Sequence, residues 1–320
     1  MPKRADFATV TDPFRGELIA HCYRMLGSLH DAEDVVQETY LRAWRAFDTY
    51  DERKASLRTW LYRIATNACL SALTSRGRRV LPSGLGGPAD PVTASLDRQP
   101  AVPWLQPLPD TLLPVDPAAV VSTRDSVRLA FVAALQHLPA KQRAVLLLRD
   151  VLAWSAAEVA ELLDTSTAAV TSALQRARAQ MSGVTPDEVT DLTGDDHRRF
   201  LDRYTTAFAR ADMTALIDIL RDDVVLEMPP YPAWFTGRTA VAAFLPRIIG
   251  VGPRHVVATR ANLRPALATY TADGSSWRAH AIHVPTITAS GVREILVFLD
   301  PTLFPAFGLP VTMSEPAPVG

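Results

Sequence analysis

Cysteine is nearly absent from this chain, which carries only Cys22 and Cys69 among its 320 residues. Their spacing fits no metal site, and two such cysteines favour a reducing compartment without a disulfide framework. Long apolar runs are also missing, because no stretch approaches the ~20 apolar residues that span a bilayer. The first residues, MPKRADFATVTDPF, lack the apolar core of a signal peptide. We therefore expect a cytoplasmic protein with no membrane partner.

An excess of positive charge is lacking as well. Lys and Arg total 33 against 34 Asp and Glu, which gives a formal net charge of −1. A protein that coats nucleic acid through bulk charge is thereby disfavoured, so any such contact must come from local patches. The length suggests two or three domains, and a hydrophobic content of 48% is ample for their cores.

The most informative stretch, Leu138 to Met181, has the pattern of three helices. Ser155-Ala-Ala-Glu158 predicts a capping box at the start of the second helix. Asp164-Thr165 makes the next turn, since Asp tolerates the left-handed backbone conformation. Ser166 or Thr165 caps the third helix. The inner face of that helix consists of Val170, Leu174 and Ala177.

Two short helices joined by a tight turn indicate a helix-turn-helix. The outer face of its second helix consists of Thr171, Ser172, Gln175, Arg176 and Arg178. Small residues let a backbone approach a major groove, hydroxyl and amide groups meet base edges, and arginines meet guanine or phosphate. The alternative is a helical hairpin whose polar face is only solvated.

A second helical pattern covers residues 5 to about 80, including an amphipathic helix from Asp31 to Phe47. The predicted buried face of that helix consists of Ala32, Val36, Ala43, Trp44 and Phe47. Its first turns carry the acidic residues Asp31, Glu33, Asp34 and Glu38. Acidic residues there complement the helix dipole, or they form a docking surface for a basic partner.

The charge reverses from Arg53 to Arg79, a stretch without acidic residues. Its basic residues are Arg53, Lys54, Arg58, Arg63, Arg76, Arg78 and Arg79. Trp60 and Tyr62 are interleaved with them on a predicted helix from Thr59 to Leu73. A basic face with aromatic side chains suits a nucleic-acid backbone with unstacked bases. The alternative is that the aromatic rings are core and the arginines solvated.

Three ordered motifs, DAEDVVQETYLRAW, TWLYRIATNACLSALTSRGRR and LPAKQRAVLLLRDVLAWSAAEVAELL with AAVTSALQRARA, carry a resemblance. They resemble regions 2 and 4 of the extracytoplasmic-function (ECF) group of sigma-70 factors, which are bacterial RNA polymerase subunits that select promoters. The resemblance implies core RNA polymerase, through its β′ clamp helices and β flap, and promoter DNA as partners. The positions that match the clamp-docking helix are Asp31, Asp34, Gln37 and Glu38.

The same resemblance implies two DNA contacts. Region 2 of the family melts the −10 element and captures a flipped base, here with the loop from Asp51 to Leu57 and with Asn67. The implied −10 residues are Arg53, Lys54, Ser56, Arg63, Asn67, Arg76, Arg78 and Arg79. The implied −35 residues of region 4 are Ser166, Thr167, Thr171, Ser172, Gln175, Arg176 and Arg178. Thr171 and Asp164 depart from the family, where a basic residue and a glycine are frequent.

Residues 81–122 form a predicted linker between region 2 at 5–80 and region 4 at 123–182. Nine prolines and no strong period favour an extended or disordered tether. In the family this linker threads the polymerase cleft. Trp104-Leu105 is an apolar anchor within it, and four aspartates against one arginine would suit a basic channel.

After an acidic joint at 183–196, residues 197–310 have an α+β pattern. The order of elements around MPPYPAWFTG resembles the SnoaL-like branch of the NTF2-like fold. The expected fold class is therefore multidomain, with two all-α sigma domains (a region 2 helical bundle and a region 4 helix-turn-helix) followed by an α+β NTF2-like cone domain. The resemblance implies that this last domain regulates the sigma factor within the same chain.

A pocket in the cone would have five candidate lining residues: Tyr231, Trp234, Arg260, His280 and His283. The two histidines lie on one predicted strand at a separation that faces them to opposite sides, so at most one is expected in the pocket. No Asp/His pair at catalytic spacing is visible, and we predict no enzyme activity, metal or cofactor. A ligand-sensing pocket, a protein-contact surface and an unknown anti-sigma partner stay open. A stand-alone helix-turn-helix regulator and a fused SnoaL-like enzyme are the alternatives for the whole chain.

Overall fold

The computed structural model describes residues 7–75, 77–114, 125–182, 194–249 and 254–314. Its contacts divide the chain into two compact units. The helical unit comprises Met1–Arg79 and Asp110–Thr185, and the α+β unit comprises Val80–Pro109 and Pro186–Gly320. Arg76, most of the predicted joint and the end of the predicted linker lie outside the described residues.

The N-terminal half of the helical unit is a helix bundle, as the apolar periodicity predicts. Its helices are α1 Phe7–Thr11, α2 Arg15–Leu26, α3 Leu29–Ala46 and α4 Leu57–Ser75. Gly27, with a φ of 69°, ends α2 in the left-handed conformation that glycine adopts without strain. Ser28 then caps α3, because its hydroxyl accepts a hydrogen bond from the amide of Asp31 at 3.1 Å.

The predicted buried face of α3 is correct at Ala32, Val36 and Ala43, but wrong at Trp44. The first three side chains are inaccessible to solvent, whereas Trp44 is 45% exposed. Successive residues turn by about 100° around a helix, so the residue after Ala43 already points away from the bundle core. Phe47, which follows α3, is buried as predicted.

The second half of the helical unit contains the predicted helix-turn-helix. Its helices are α5 Leu129–Leu135, α6 Ala140–Leu146, α7 Ala156–Leu162 and α8 Thr167–Met181. A π-helical turn, Leu147–Val151, continues α6 toward α7. The predicted capping box at Ser155 and Glu158 is formed by both of its hydrogen bonds. Asp164 has a φ of 48°, as expected for the turn.

A buried arginine joins the two halves of this unit. Arg143 of α6 is 3% exposed. Its guanidinium donates to the carbonyl oxygen of Met25 on α2, and also to the side chain and carbonyl of Gln136 and the carbonyl of Leu138. The Gln136 amide in turn donates to the carbonyl of Arg24 at 3.3 Å. Because each of these groups is removed from water, their hydrogen bonds specify how the halves pack.

The α+β unit has helices before, and among, the strands of a mostly antiparallel sheet. Its helices are α9 Gly194–Ala209, α10 Met213–Asp218, α11 Arg238–Phe244 and α12 Pro246–Ile249. Its strands are β1 Leu220–Glu227, β2 Trp234–Thr236, β3 Arg254–Ala261, β4 Arg264–Asp273, β5 Ser276–Thr288, β6 Gly291–Phe298 and β7 Thr312–Ser314. The sheet order is β2-β1-β6-β5-β4-β3, with β7 added to β5. Strands β1 and β6 run parallel, and the other pairs run antiparallel.

The Pro-rich segment from Val80 to Pro109, which we call the seated linker, belongs to the α+β unit. It is largely without regular secondary structure, as its composition predicts. The expectation of a passive tether does not describe it, because its amides at Ala89 and Gln99 donate to the carbonyls of Trp234 and Pro230, at 2.8 and 2.9 Å. The segment has too few apolar residues to build a core of its own, and its order comes from contacts with the rest of the α+β unit.

Candidate nucleic-acid interface and ligand cavity

The solvent face of α3 carries three of the four predicted polymerase-binding residues. Asp34 and Gln37 are exposed, and Glu38 is half-buried and pairs with Arg42 at 2.7 Å. Leu41, 51% exposed, and Trp44 extend the same face with apolar surface. Helical spacing places all of these side chains on one side of α3. This face therefore exposes acidic and apolar groups together, as protein-docking surfaces do.

Asp31, the fourth predicted polymerase-binding residue, has a different environment. Its carboxylate accepts hydrogen bonds from two nitrogens of Arg79, and the side chain is only 13% exposed. Arg79 is itself predicted to bind the −10 element. Since each charge is engaged by the other, this pair fixes the end of the region 2 segment against α3.

The predicted −10 residues lie before, on and after α4: Arg53, Lys54 and Ser56 precede it, Arg63 and Asn67 belong to it, and Arg78 and Arg79 follow it. Ser56 caps this helix, because its hydroxyl accepts a hydrogen bond from the Thr59 amide at 3.1 Å. Asn67 is exposed two turns further along, and Lys54 is exposed in the preceding loop. Arg53 is held by Asp51 through two hydrogen bonds of 3.0 Å. The loop and helix thus present polar groups on one surface, with a backbone shaped by local hydrogen bonds.

Arg63 of α4 makes an ion pair with Glu161 of α7 at 2.7 Å. The arginine is 26% exposed and the glutamate 67% exposed, so the pair closes part of the α4 surface. Arg78 contacts the imidazole of His137 at 3.1 Å, which is a second contact between the two halves of the unit. The basic stretch is therefore partly neutralised by groups of the same chain.

The two aromatic residues of α4 have unequal burial. Tyr62 is 2% exposed and donates its hydroxyl hydrogen to Glu17 at 3.1 Å. Burial and the Glu17 carboxylate together raise the pKa of Tyr62. Trp60 is half-buried, with its ring centroid 5.0 Å from that of Tyr50. One ring therefore belongs to the core, whereas Trp60 stays partly accessible.

The outer face of α8 is open to solvent. Thr167, Thr171, Ser172, Gln175 and Arg176 are all exposed, as is the capping residue Ser166. The inner-face residues Val170, Leu174 and Ala177 are buried, as their periodicity predicts. Arg178 differs from its neighbours, because it forms a bidentate pair with Asp150 at 2.7 and 2.9 Å. The helix thus offers small and polar side chains of the kind that reach base edges.

A cavity of about 460 Å³ lies inside the α+β unit. Tyr231, His280 and His283 line it, as predicted. Trp234 and Arg260 do not line it. The Trp234 indole donates to the carbonyl of Gly86 in the seated linker at 2.8 Å, and Arg260 is exposed, donating to the carbonyl of Leu263.

Both histidines of β5 line the cavity, so the expectation that at most one could do so is wrong. The pairing of β4 with β5 shifts between Thr269 and Tyr270, where the partners change from Ala281 to Ala279. His280 is therefore the extra residue of a β-bulge. An extra residue interrupts the alternation of side chains, and so residues three apart face the same side.

His283 is buried and is held by side chains of the protein. Its Nδ1 lies 3.2 Å from the Tyr204 hydroxyl, and its Nε2 lies 3.4 Å from the Thr269 hydroxyl. Burial lowers the pKa of His283 to about 3 and the pKa of His280 to about 4. Both rings are therefore neutral at physiological pH.

Glu227 at the end of β1 is a functional candidate that the sequence pattern did not reveal. It is 3% exposed, and its carboxylate accepts hydrogen bonds from the Ser83 amide at 2.8 Å and the Ser83 hydroxyl at 3.1 Å. Burial and the nearby Glu294 raise the pKa of Glu227 to about 7. The sequence around Glu227 could not indicate this contact, because Ser83 lies 144 residues away along the chain.

The described part of the chain contains no cluster of three or more His, Cys, Asp or Glu side chains able to hold a metal ion. Its helices include none that is long and apolar enough to cross a membrane.

Known protein families match this chain in the same order as the motifs identified in its sequence. Residues 12–79 match the Sigma-70 region 2 family, and residues 128–181 match the Sigma-70 region 4 family. The chain is 49% identical over 316 residues to the ECF RNA polymerase sigma factor SigG of Mycobacterium tuberculosis, covering 96% of this chain and 85% of that protein. It is 29% identical over 292 residues to SigJ of the same organism, covering 88% and 86% of the two chains.

The crystal structure of M. tuberculosis SigJ shares the fold. It superposes with a TM-score of 0.60 over 95% of this chain and 99% of that one, at 24% identity. The architecture of helical regions followed by an α+β domain, which the motif order predicts for the SigG and SigJ types, is therefore confirmed. The chain belongs to the extracytoplasmic-function group of sigma-70 factors and is an RNA polymerase sigma factor for transcription initiation.

Proposed function

We propose that the C-terminal α+β domain holds this sigma factor in a resting form by binding the linker between regions 2 and 4. The observation that carries the proposal is the packing of the seated linker on that domain. In the family the linker threads the polymerase cleft, so it would have to leave the domain on assembly. Two exclusive positions of one segment make a switch, which is set by the relative affinity of the linker for the two sites.

The hold on the linker is distributed along its length. Besides the Ser83 contact with Glu227, the Arg247 guanidinium donates to the carbonyls of Pro91 and Ala94 at 2.9 and 3.0 Å. Arg98 donates to the carbonyl of Leu299 at 2.7 Å. Each bond contributes about 1 kcal/mol net, so several of them can be exchanged for contacts of similar strength elsewhere.

The solvent face of α3 is the proposed docking surface for the β′ clamp helices. Asp34, Gln37 and Glu38 supply its polar groups, with Leu41 and Trp44 beside them. The role proposed for Asp31 is to position Arg79. Region 4 is proposed to contact the β flap, and core polymerase, promoter DNA and an anti-sigma partner are the partners considered.

Promoter recognition is divided between the two halves of the helical unit. We propose that the loop before α4 and Asn67 capture an unpaired −10 base, with Arg53, Lys54, Ser56, Arg78 and the undescribed Arg76 near phosphates. On α8, Thr171, Ser172, Gln175 and Arg176 would meet the −35 element, with Ser166 and Thr167 at its phosphates. In the resting form the Glu161 carboxylate forms an ion pair with Arg63, in the place that a DNA phosphate would take in the complex.

The α+β domain is proposed to bind rather than to catalyse. Both ring nitrogens of His283 lie within hydrogen-bond distance of protein hydroxyls, those of Tyr204 and Thr269, so this imidazole is engaged by the protein itself. The proposed site of action is the cytoplasm, on the chromosome, where a sigma factor would meet core polymerase and promoter DNA.

Transcription by the full chain with purified core polymerase tests the proposal. On a promoter library, we expect promoter-specific transcripts from the native chain. Glu227→Gln, which removes one acceptor for Ser83, should raise their yield several-fold at equal protein, because a loosened linker lies more often off the domain.

The matched control is Glu294→Gln on the adjacent strand β6, where the carboxylate accepts a hydrogen bond from Thr286 at 3.1 Å. We expect this variant to give no more transcript than the native chain, because it removes a charge beside Glu227 but keeps both acceptors for Ser83. Equal or lower yield from Glu227→Gln would refute the linker switch. Absence of specific transcripts from every version would contradict the proposed promoter contacts as well.

A further inference from the structure

The cavity of the α+β unit has the size and walls of a ligand site. Its volume of about 460 Å³ falls within the ~300–1,000 Å³ of small-molecule pockets. Twelve of its lining residues are aliphatic, Met or Phe, and they come from the helices, the sheet and the loops of the α+β unit and from the seated linker. An apolar space of this size favours a ligand with an apolar chain or ring.

The polar groups at the cavity determine the charge of that ligand. Among the described residues that line it, Arg254 carries the cationic side chain and none carries a carboxylate. His280 and His283 are neutral, as shown above. The cavity therefore has one positive charge at physiological pH, next to neutral hydrogen-bonding groups.

The Arg254 guanidinium is positioned but incompletely satisfied. One terminal nitrogen donates to the Ile248 carbonyl at 2.6 Å, and the guanidinium carbon lies 5.5 Å from the centroid of the Phe208 ring. Its Nε is buried and has no hydrogen-bond partner within the described residues. A buried donor without a partner is costly, and a carboxylate is the acceptor that best matches a guanidinium.

We propose that the cavity binds an organic carboxylate with an apolar body, whose carboxylate pairs with Arg254 and whose body lies along the aliphatic walls. His280 and Tyr231 lie at the same cavity and supply neutral contacts. A purely apolar pocket would prefer an uncharged ligand over a carboxylate. Here we expect the opposite preference, because an uncharged ligand would leave the Arg254 donor unpaired.

The ligand would also contact the seated linker, because Leu96 is one of the lining residues. The residues around Leu96 are held to the domain at Ala94 and Arg98. A bound ligand that packs on Leu96 binds the seated form better than the released form, and so it stabilises the seated form. This regulatory consequence rests on the proposed function, whereas the ligand site itself does not.

Calorimetric titration of the full chain with decanoate, decan-1-ol and decyltrimethylammonium tests the charge preference. We expect one decanoate per chain, with decan-1-ol at least about 10-fold weaker, because a hydrogen bond between charged groups is lost. Arg254→Met should remove this preference, and Arg254→Lys should keep part of it. The control is Arg260→Met, on the same strand but outside the cavity, which should bind like the native chain.

Equal affinity for decanoate and decan-1-ol in the native chain would refute the carboxylate site. So would tighter binding of decyltrimethylammonium, a decanoate preference that survives in Arg254→Met, or no binding of any of the three. Thermal unfolding of each variant identifies a loss of fold, and in that event Arg254→Lys decides the question.

Hydrogen exchange at the amides of Ala89 and Gln99 tests the coupling to the linker. Saturating decanoate should slow exchange at both, and Leu96→Ala should weaken both the slowing and the binding. Binding without slower exchange would refute the coupling and leave the site intact. A failed linker switch would instead show as unchanged transcription by Glu227→Gln, so the two failures are distinguishable.

Discussion

Helices α4 and α8, the helices proposed to contact the promoter, present their polar faces differently. The outer face of α8 is open along its length, and Arg178 at its C-terminal end pairs with Asp150 of the same half of the helical unit. On α4, Arg63 pairs with Glu161, which belongs to the other half. The proposed −35 surface thus makes its ion pair within its own half of the helical unit, whereas the proposed −10 surface has one of its arginines paired with the other half.

This difference indicates where control can act. For Arg63 to meet a −10 phosphate, as proposed, its ion pair with Glu161 must open, and separation of the two halves of the helical unit would open it. An open α8 needs no such change. With the roles proposed for α4 and α8, packing within the helical unit affects the −10 contact more than the −35 contact.

The largest effect is expected from Arg143→Met, which removes the buried link between the halves. The carbonyls of Met25 and Leu138 would lose a donor in a buried environment. We expect the free energy of unfolding of the helical unit to fall by about 3 kcal/mol in urea titrations. Arg176→Met, exposed on α8, should change it by less than about 0.5 kcal/mol. A similar small change in both variants would mean that Arg143 does not hold the halves together.

An intermediate effect is expected from removing one polar side chain from α4 or from α8. Asn67→Ala should weaken binding of the polymerase complex to a probe with an unpaired −10 strand by about 5- to 150-fold, because a base-edge contact contributes ~1–3 kcal/mol. Gln175→Ala should do the same on a duplex −35 probe. Each variant serves as the control for the other, and both probes responding alike would contradict the division of roles.

The smallest effect is expected from Glu161→Gln. An exposed ion pair contributes ~0.2–1 kcal/mol, so freeing Arg63 should raise affinity for the −10 probe by about 1.4- to 5-fold. The gain should shrink at high salt, because the ions screen an exposed pair. Asp150→Asn, which frees Arg178, is matched in chemistry and should alter only the −35 probe. An unchanged −10 affinity at low salt would remove Glu161 from the mechanism.

The helix-turn-helix could be predicted from the sequence because its determinants are local. The capping box, the left-handed Asp164 and the inner face of α8 each depend on residues within about four positions of each other. Trp44 shows the limit of the same reasoning, since a shift of one residue on a helix moves a side chain from the core to solvent.

The seated linker could not be predicted, because its order comes from a partner surface that is distant in sequence. A Pro-rich segment has no periodicity to mark which side chains will be buried. The contact between Ser83 and Glu227 and the contribution of Leu96 to the cavity both depend on tertiary structure. Nothing beyond position in the sequence marks Trp234 and Arg260 as cavity residues, and Trp234 contacts the seated linker instead.

The β-bulge at His280 divides β5 into two stretches with opposite face assignments. From Ile282 onward the strand pairs with β6 at its second edge, and from Arg278 back to Ser276 it pairs with β7. The bulge lies where the strand paired with this edge of β5 changes from β7 to β6. Its extra residue shifts the alternation of inward and outward side chains by one position. Deleting Ala279 would restore strict alternation and would leave one histidine, rather than two, at the polar end of the cavity. The chemical character of this pocket therefore depends on chain length as much as on residue type.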